Sequence, residues 1–427
     1  MKGADANPGD LIRIKTAKED IEGILIESYE PGVVLIKLDS GYNIGISRDN
    51  ILDMKVVKKA EKKQEKESEF KQSHKKPVID LIMTGGTISS SLDSKTGAVK
   101  ALTSPNDFFK MYPDILEFAD VNIINPFMKL SENMGPSDWQ KIAKIVVKSL
   151  NNDNVKGVIL THGTDTLHYT SAALSFMIRN LNKPVVLTYS QRSSDRGSSD
   201  AKFNLICAAK MALSDIAEVM IVGHADSNDE SCNALLGTKV RKMHSSRRDA
   251  FKPINSSPVA KITHDKIEIL RGDYNKRKHL KEGECSLDDS FDSRVALVKF
   301  YPGQSPEILE YYAKSGYKGI IIEMTGLGHV CVEGSLNWVP VIKDITSKGI
   351  VVCAAAQTLY GRLDPLVYST GRELEKAGVI YLKDILPETA FVKLGWVLGH
   401  KEWKNDVREK MLENISKEFN ERLGEES

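Results

Sequence analysis

Apolar residues alternate in short bursts over the first sixty positions. "LIRIKT", "IEGILIES", "GVVLIKL" and "YNIGIS", within residues 8–57, are rich in Ile and Val and separated by "EPG" and "DSGY". This is the pattern of short half-buried strands joined by turns. Four or five such strands in so short a span predict a small barrel of the SH3-like kind. The module reads as structural or docking rather than RNA-binding. The pattern then breaks: residues 58–76, "KKAEKKQEKESEFKQSHKK", are nearly all charged or polar. Such a run cannot bury a core and reads as a linker, with Glu interleaved among the Lys rather than a basic nucleic-acid tail.

From position 77 the period changes. "PVIDLIM", "GVILTHG", "PVVLTYS" and "EVMIVG" are continuous apolar runs, and the stretches Thr166–Arg179 and Asp200–Leu213 between them carry helical spacing. Buried strands alternating with helices predict a parallel sheet covered on both faces. A second block of the same kind begins near Val295 with "VALVKFYP", "GIIIEM" and "GIVVCAA". Its first helix is punctuated by Ser305 as cap, Pro306 in the first turn and Gly316 at the end. The polar stretch before it suits an interdomain connection, and "WKNDVREKMLENISKEFNERL" reads as a C-terminal amphipathic helix. The expected boundaries are 1–57 for the barrel, 58–76 for the linker, 77–275 for the first α/β domain, 276–293 for the connection and 294–427 for the second.

Bulk composition narrows the function classes. A chain of 427 residues with net charge +1 lacks the basic bias of a dedicated nucleic-acid binder. No apolar run approaches the ~20 residues of a membrane helix, and "MKGADANPGD" lacks the apolar stretch of a secretory signal. Five cysteines without a CxxC pair argue against a disulfide framework or a zinc site, so a reducing cytoplasm is the expected setting and no metal is expected.

Two strand-to-loop junctions carry the candidate chemistry. One is "TGGTI", Thr84–Ile88; the other is "THGTDT", Thr161–Thr166. Open α/β sheets bind ligands beyond the carboxyl ends of their strands. Glycines there let backbone N–H groups approach a substrate oxygen, and threonines offer hydroxyls at the same edge. Each loop alone reads more simply as a turn or a helix cap. Together they place a hydroxyl, Thr87, opposite Thr164 and Asp165 if both loops face one crevice. A hydroxyl nucleophile needs a base. A lysine of "GTKVRKMHSSRRDAFKPIN" could serve, although spacing alone does not single out Lys242 from its neighbours.

These stretches, in this order, resemble the L-asparaginase family, and most closely its archaeal GatD branch, the asparaginase-like subunits of tRNA-dependent amidotransferases. The branch resemblance rests on the barrel, on "LSENM" at Leu130–Met134, on "VYSTGREL" at Val367–Leu374 and on "LPETAFVKLGWVLGH". It implies an L-asparaginase-like two-domain α/β hydrolase preceded by the barrel. It also implies that Thr87 attacks a side-chain amide, that Thr164, Asp165 and Lys242 form a second catalytic group, that Ser131 and Glu132 grip the substrate's α-groups, and that Gly86 and Gly163 also bind substrate. Asp165 and Glu132 suit an ammonium, Ser131 and loop amides a carboxylate. Relatives carry a tyrosine in the loop after "TGGTI" where this chain has Ser94, and no tyrosine lies between Thr87 and Tyr112. Either another group replaces it, with Lys95 or a partner residue as candidates, or the isolated chain is slow. The implied function is a glutaminase that feeds ammonia to a partner, GatE, which uses ATP and Mg²⁺ on Glu-tRNA(Gln). The implied assembly is a homodimer within an α2β2 heterotetramer. A free-standing cytosolic asparaginase is the alternative. No GxxxxGK[ST] loop occurs, so ATP is not expected on this chain.

Overall fold

A computed structural model of the chain describes residues 6–26, 28, 32–60, 72–73, 75–92, 99–102, 104–194 and 196–422. The Ile/Val alternation at the start forms five antiparallel strands in the order Asn43–Ser47, Val33–Lys37, Asp20–Ile26, Leu11–Thr16, Ile51–Lys58. Because side chains alternate across a strand, one set points inward. Ile12, Ile14, Val34, Ile36 and Ile46 make a separate small core. Most of the charged run, 61–71 and 74, lies outside the described residues. Its end is docked: the Gln72 side chain pairs with both backbone groups of Val121, and the Asp120 carboxylate accepts from the amides of Ser73 and Lys76.

The apolar runs of the first α/β block build an eight-stranded sheet. Five strands are parallel: Val78–Met83, Asp120–Ile124, Val155–Thr161, Val185–Thr188 and Val219–His224. Numbered along the chain, they lie in the order 2-1-3-4-5. Three antiparallel strands, Ser231–Leu236, Ala260–Thr263 and Ile267–Ile269, extend the far edge. The central strands are buried along nearly their whole length, which is why they read as unbroken apolar runs. The one carboxylate inside the first strand, Asp80, is buried and accepts from Asn122 Nδ2 at 2.9 Å.

The second block is an all-parallel sheet, Val295–Lys299, Gly319–Met324, Val351–Ala356 and Ile380–Tyr381, in chain order. The punctuation of its first helix is shifted by one residue: Pro306 stands at the N-cap rather than in the first turn, Ser305 Oγ accepts from the Glu307 amide, and Gly316 follows the Glu307–Lys314 helix at φ +81°. The two blocks share one core. Helix Leu167–Met177 packs on helix Pro387–Gly399, with Phe176 and Trp396 stacked at 5.8 Å. Ion pairs cross the same junction, the buried Lys239 to Asp384 at 2.5 Å and the half-buried Arg241 to Glu388 at 2.9 Å.

The C-terminal stretch is not the single amphipathic helix its pattern predicts. Only Val407–Leu412 is α-helical, after a 3-10 turn at Lys401–Trp403. The chain then folds back, because Glu418 and Phe419 are both buried. Glu418 meets Lys393 Nζ at 2.6 Å, both side chains fully buried, and its carboxylate also accepts from the amides of Ile415 and Ser416. A continuous helix would spend those amides within itself, and the buried pair wins.

Candidate active site

In a 2-1-3-4-5 sheet the chain reverses direction between strands 1 and 3, and a crevice opens there beyond their carboxyl ends. "TGGTI" leaves strand 1 and "THGTDT" leaves strand 3, so the topology brings the two loops together. Their backbones touch. Thr84 bonds the Thr161 carbonyl through its amide at 3.3 Å and its hydroxyl at 2.8 Å. Ser89 Oγ and Thr161 Oγ1 are 2.6 Å apart.

The two glycines are required at this junction. Gly85 sits at φ +137°, and a Cβ there would lie 2.1 Å from the Lys129 carbonyl oxygen. Gly86 sits at φ +84°, and its Cβ would lie 2.5 Å from the His162 carbonyl oxygen. Gly86 thereby sets Thr87 against the second loop. Thr87 opens a 3-10 turn, Thr87–Ser89, and is half-buried. Among the described residues its hydroxyl has no hydrogen-bond partner.

Opposite it, Lys242 Nζ donates to Thr164 Oγ1 and to Asp165 Oδ1, both at 2.8 Å. The lysine side chain is 12% exposed and the aspartate 66%. Lys242 comes from the Val240–Lys242 strand, which forms a hairpin with Phe251–Pro253, so its position depends on a separate small ladder. Ser131 is buried in the Ser131–Asn133 turn, its carbonyl accepting from Thr166 Oγ1 at 2.6 Å. Gly163 lies so close that a Cβ there would be 2.8 Å from Ser131 Oγ. Glu132 follows Ser131 and is exposed; among the described residues no hydrogen bond or ion pair ties it to the others. The structure thus brings Gly86, Thr87, Ser131, Gly163, Thr164, Asp165 and Lys242 into one cleft, with Glu132 at its margin. Ser94 and Lys95 lie outside the described residues.

Four supporting groups carried no sequence signal. His162 is wholly buried, and burial holds its imidazole down to about 4, so the ring is neutral at physiological pH. Its Nδ1 is 2.7 Å from the Gly163 carbonyl, which only accepts, so Nδ1 carries the proton. Nε2 then accepts from the Thr170 hydroxyl at 2.8 Å. In a trans peptide the carbonyl and the next N–H point in opposite directions. Fixing the Gly163 carbonyl toward the ring therefore turns the Thr164 N–H away from it, and among the described residues that N–H has no partner. Tyr112 is buried, donates to the Ile88 carbonyl at 3.0 Å, and has its phenol pushed well above the ordinary range by burial. It pins the Thr87–Ser89 turn. Lys129 clasps "TGG" through its backbone while its Nζ pairs with Asp138 at 2.6 Å. Arg241, next to Lys242, is held by Glu388 from the second block; burial pushes the Glu388 carboxyl up, and Arg241 opposes that.

Among the described residues no group of three His, Cys, Asp or Glu could hold a metal ion, and no helix is long and apolar enough to cross a membrane.

Comparison with known proteins gives the class first. Residues 78–274 match the family description "Asparaginase, N-terminal" and residues 294–411 match "Glutaminase/Asparaginase C-terminal domain". The thermostable L-asparaginase from Thermococcus kodakarensis superposes with a TM-score of 0.72 at 32% identity, covering 81% of this chain and 100% of that one. L-asparaginase I from Vibrio cholerae gives 0.69 at 27% identity, covering 81% and 99%. The fold is that of the L-asparaginases, α/β in both blocks. Residues 6–57 match the "GatD N-terminal domain". The GatD component of glutamyl-tRNA(Gln) amidotransferase from Thermococcus kodakarensis is 50% identical over 96% of this chain and 94% of its own length, and that from Pyrococcus furiosus 49% over 98% and 96%. The chain belongs to the GatD family of glutamyl-tRNA(Gln) amidotransferase subunits.

Proposed function

We propose that this chain is the glutaminase subunit of the tRNA-dependent amidotransferase. It releases ammonia from glutamine, or asparagine, and hands it to GatE, which amidates Glu-tRNA(Gln) with ATP and Mg²⁺. The observation that carries the reading is Lys242 Nζ donating at once to Thr164 and Asp165, across a backbone contact from the Thr87 turn. The Thr87 hydroxyl oxygen adds to the side-chain amide carbon, and the carbonyl electron pair becomes an oxyanion. The Thr164 N–H, which faces away from the His162 ring, is the proposed donor to it. The hydroxyl proton passes to the amide nitrogen through the Thr164–Lys242 group, the C–N bond breaks and ammonia leaves. Water then hydrolyses the threonine ester to glutamate and restores Thr87. The exposed Asp165 carboxylate, with Glu132 nearby, meets the substrate ammonium, and buried Ser131 meets its carboxylate. The assembly proposed with this role is a homodimer within an α2β2 heterotetramer in the cytoplasm. The barrel and the near-neutral charge support the reading as one component of a complex, since tRNA contacts fall to the partner.

The test is ammonia release from glutamine and from asparagine, with and without GatE and Glu-tRNA(Gln). Turnover of glutamine should rise when both are present and vanish in Thr87→Ala. Full activity on asparagine alone, unmoved by partner or tRNA, would replace this reading with a free-standing asparaginase.

A further inference from the structure

Three contacts outside the cleft line up between the N-terminal barrel and the Thr87 turn. At the barrel, the Arg196 guanidinium lies 5.0 Å over the Tyr42 ring. Neighbouring Gly41, at φ +84°, approaches so closely that a Cβ there would lie 3.4 Å from Arg196 Cγ. Among the described residues Arg196 has no carboxylate partner, and its buried Nε makes no hydrogen bond. The ring is therefore what holds the guanidinium.

Arg196 belongs to the 190–200 loop, whose ends are tied to one buried carboxylate. Asp200 accepts from Ser190 Oγ at 3.0 Å, from the Gln191 amide at 2.9 Å and from the Arg192 amide at 2.9 Å. Further along, the Arg196 amide donates to the Ser193 carbonyl at 3.1 Å and the Ser199 amide to the Arg196 carbonyl at 2.9 Å. From it, Ser194 Oγ donates to the Ser90 carbonyl at 3.2 Å and sits beside the Tyr112 phenol, which in turn donates to the Ile88 carbonyl. Ile88 lies within the Thr87–Ser89 turn and Ser90 closes it, through the Ser90 amide to the Thr87 carbonyl and Ser90 Oγ to the Gly86 carbonyl at 3.0 Å.

We propose that the barrel positions the catalytic turn through Tyr42, Arg196 and Ser194, so that the barrel's seating on the hydrolase sets the turnover of Thr87. Tyr42 and Arg196 are positioning residues; neither touches substrate. The proposal rests on the reading of Thr87 as nucleophile. A contact can bias a site by no more than its own free energy. A cation–π pair on a ring 61% exposed is a weak one, which bounds the effect at about two- to five-fold in rate.

The experiment uses the full-length chain, alone and with its GatE partner, and compares Tyr42→Ala, Arg196→Ala, the double variant and Tyr42→Phe. Two quantities are read: kcat and KM for ammonia release, and amide hydrogen exchange at Ser89 and Ser90. Each alanine variant should lower kcat about two- to five-fold with KM little changed, and should speed exchange at the turn. The double variant should be no slower than either single one. Tyr42→Phe should behave as the wild type, because the ring face and not the hydroxyl holds the guanidinium. Effects that multiply in the double variant, or an unchanged kcat in Arg196→Ala, overturn the relay. Arg196→Ala leaves the barrel's own core intact and so decides the matter even if Tyr42→Ala disturbs that module. If the wild type releases no ammonia, the glutaminase reading fails, and unchanged exchange in Arg196→Ala would then separately sink the relay.

Discussion

At the scale of single residues, two groups beside Thr87 have separable roles. Lys242 touches both Thr164 and Asp165, so under the proposed mechanism Lys242→Met removes the proton route while keeping the stem's packing. Ammonia release should fall by roughly 10²–10⁴-fold, with the far-UV spectrum unchanged; a loss of less than tenfold would take the lysine out of the reaction. His162 acts on stability. Its folded value, about 4, lies below the ordinary 6.5, so the unfolded chain binds the extra proton between those values. Its neutral burial therefore supports the fold fully above about pH 6.5, and that support drains away as pH falls toward 4. The amount is about 3 kcal/mol. Urea midpoints from pH 7 to pH 4 should drop less steeply in His162→Gln, by about one proton's worth of slope, and parallel curves would contradict the assignment. Thr87, Thr164 and Asp165 are legible in the sequence because their loops are short, ordered motifs. His162 is not: a histidine's tautomer and burial depend on Thr170, eight residues on in the next helix, and on the sheet beneath.

At the scale of elements, the glycine loop is a steric instrument as much as a flexible one. Gly86→Ala would force a Cβ into the His162 carbonyl and strain a φ of +84°. The loops must part, so turnover should fall at least a hundredfold while the chain stays folded, a loss of about 3 kcal/mol in transition-state binding. Near-normal kcat in this variant would mean that the loops need not touch. Strands and most helices are readable from their periods, since buried parallel strands are continuous apolar runs and the helix beginning at Glu307 carries its own punctuation. The C-terminal helix departs from its pattern for a definite reason. Its amphipathic spacing is real, but Lys393, eighteen residues before Met411, draws Glu418 inward and breaks it. The three antiparallel strands at the sheet edge also give no distinct signal, because pairing direction is decided by which strand lies alongside.

Across the whole molecule, ion pairs with little access to water hold elements together both at the junction of the two blocks, as Lys239 to Asp384 does, and within the second block, where Lys393 meets Glu418. Removing one partner strands the other without water. Lys393→Met leaves Glu418 buried and unpaired, and should cost about 3–5 kcal/mol in a denaturant titration. Adding Glu418→Gln should recover part of that loss, and a single variant as stable as wild type would show that Glu418 can reach solvent.

The sequence alone determined the order of modules, the period of the parallel strands and most helices, and the two threonine loops, because these are set by neighbours along the chain and by short-range sterics. It could not bring the loops together. That depended on the 2-1-3-4-5 strand order, which puts residues 84 and 161 side by side through a crossover no local pattern encodes. Nor could it choose Lys242 among several nearby cations, orient the Gly163 carbonyl, or seat Tyr42 on Arg196. Those are contacts between residues far apart in the chain, and only the packed structure decides them.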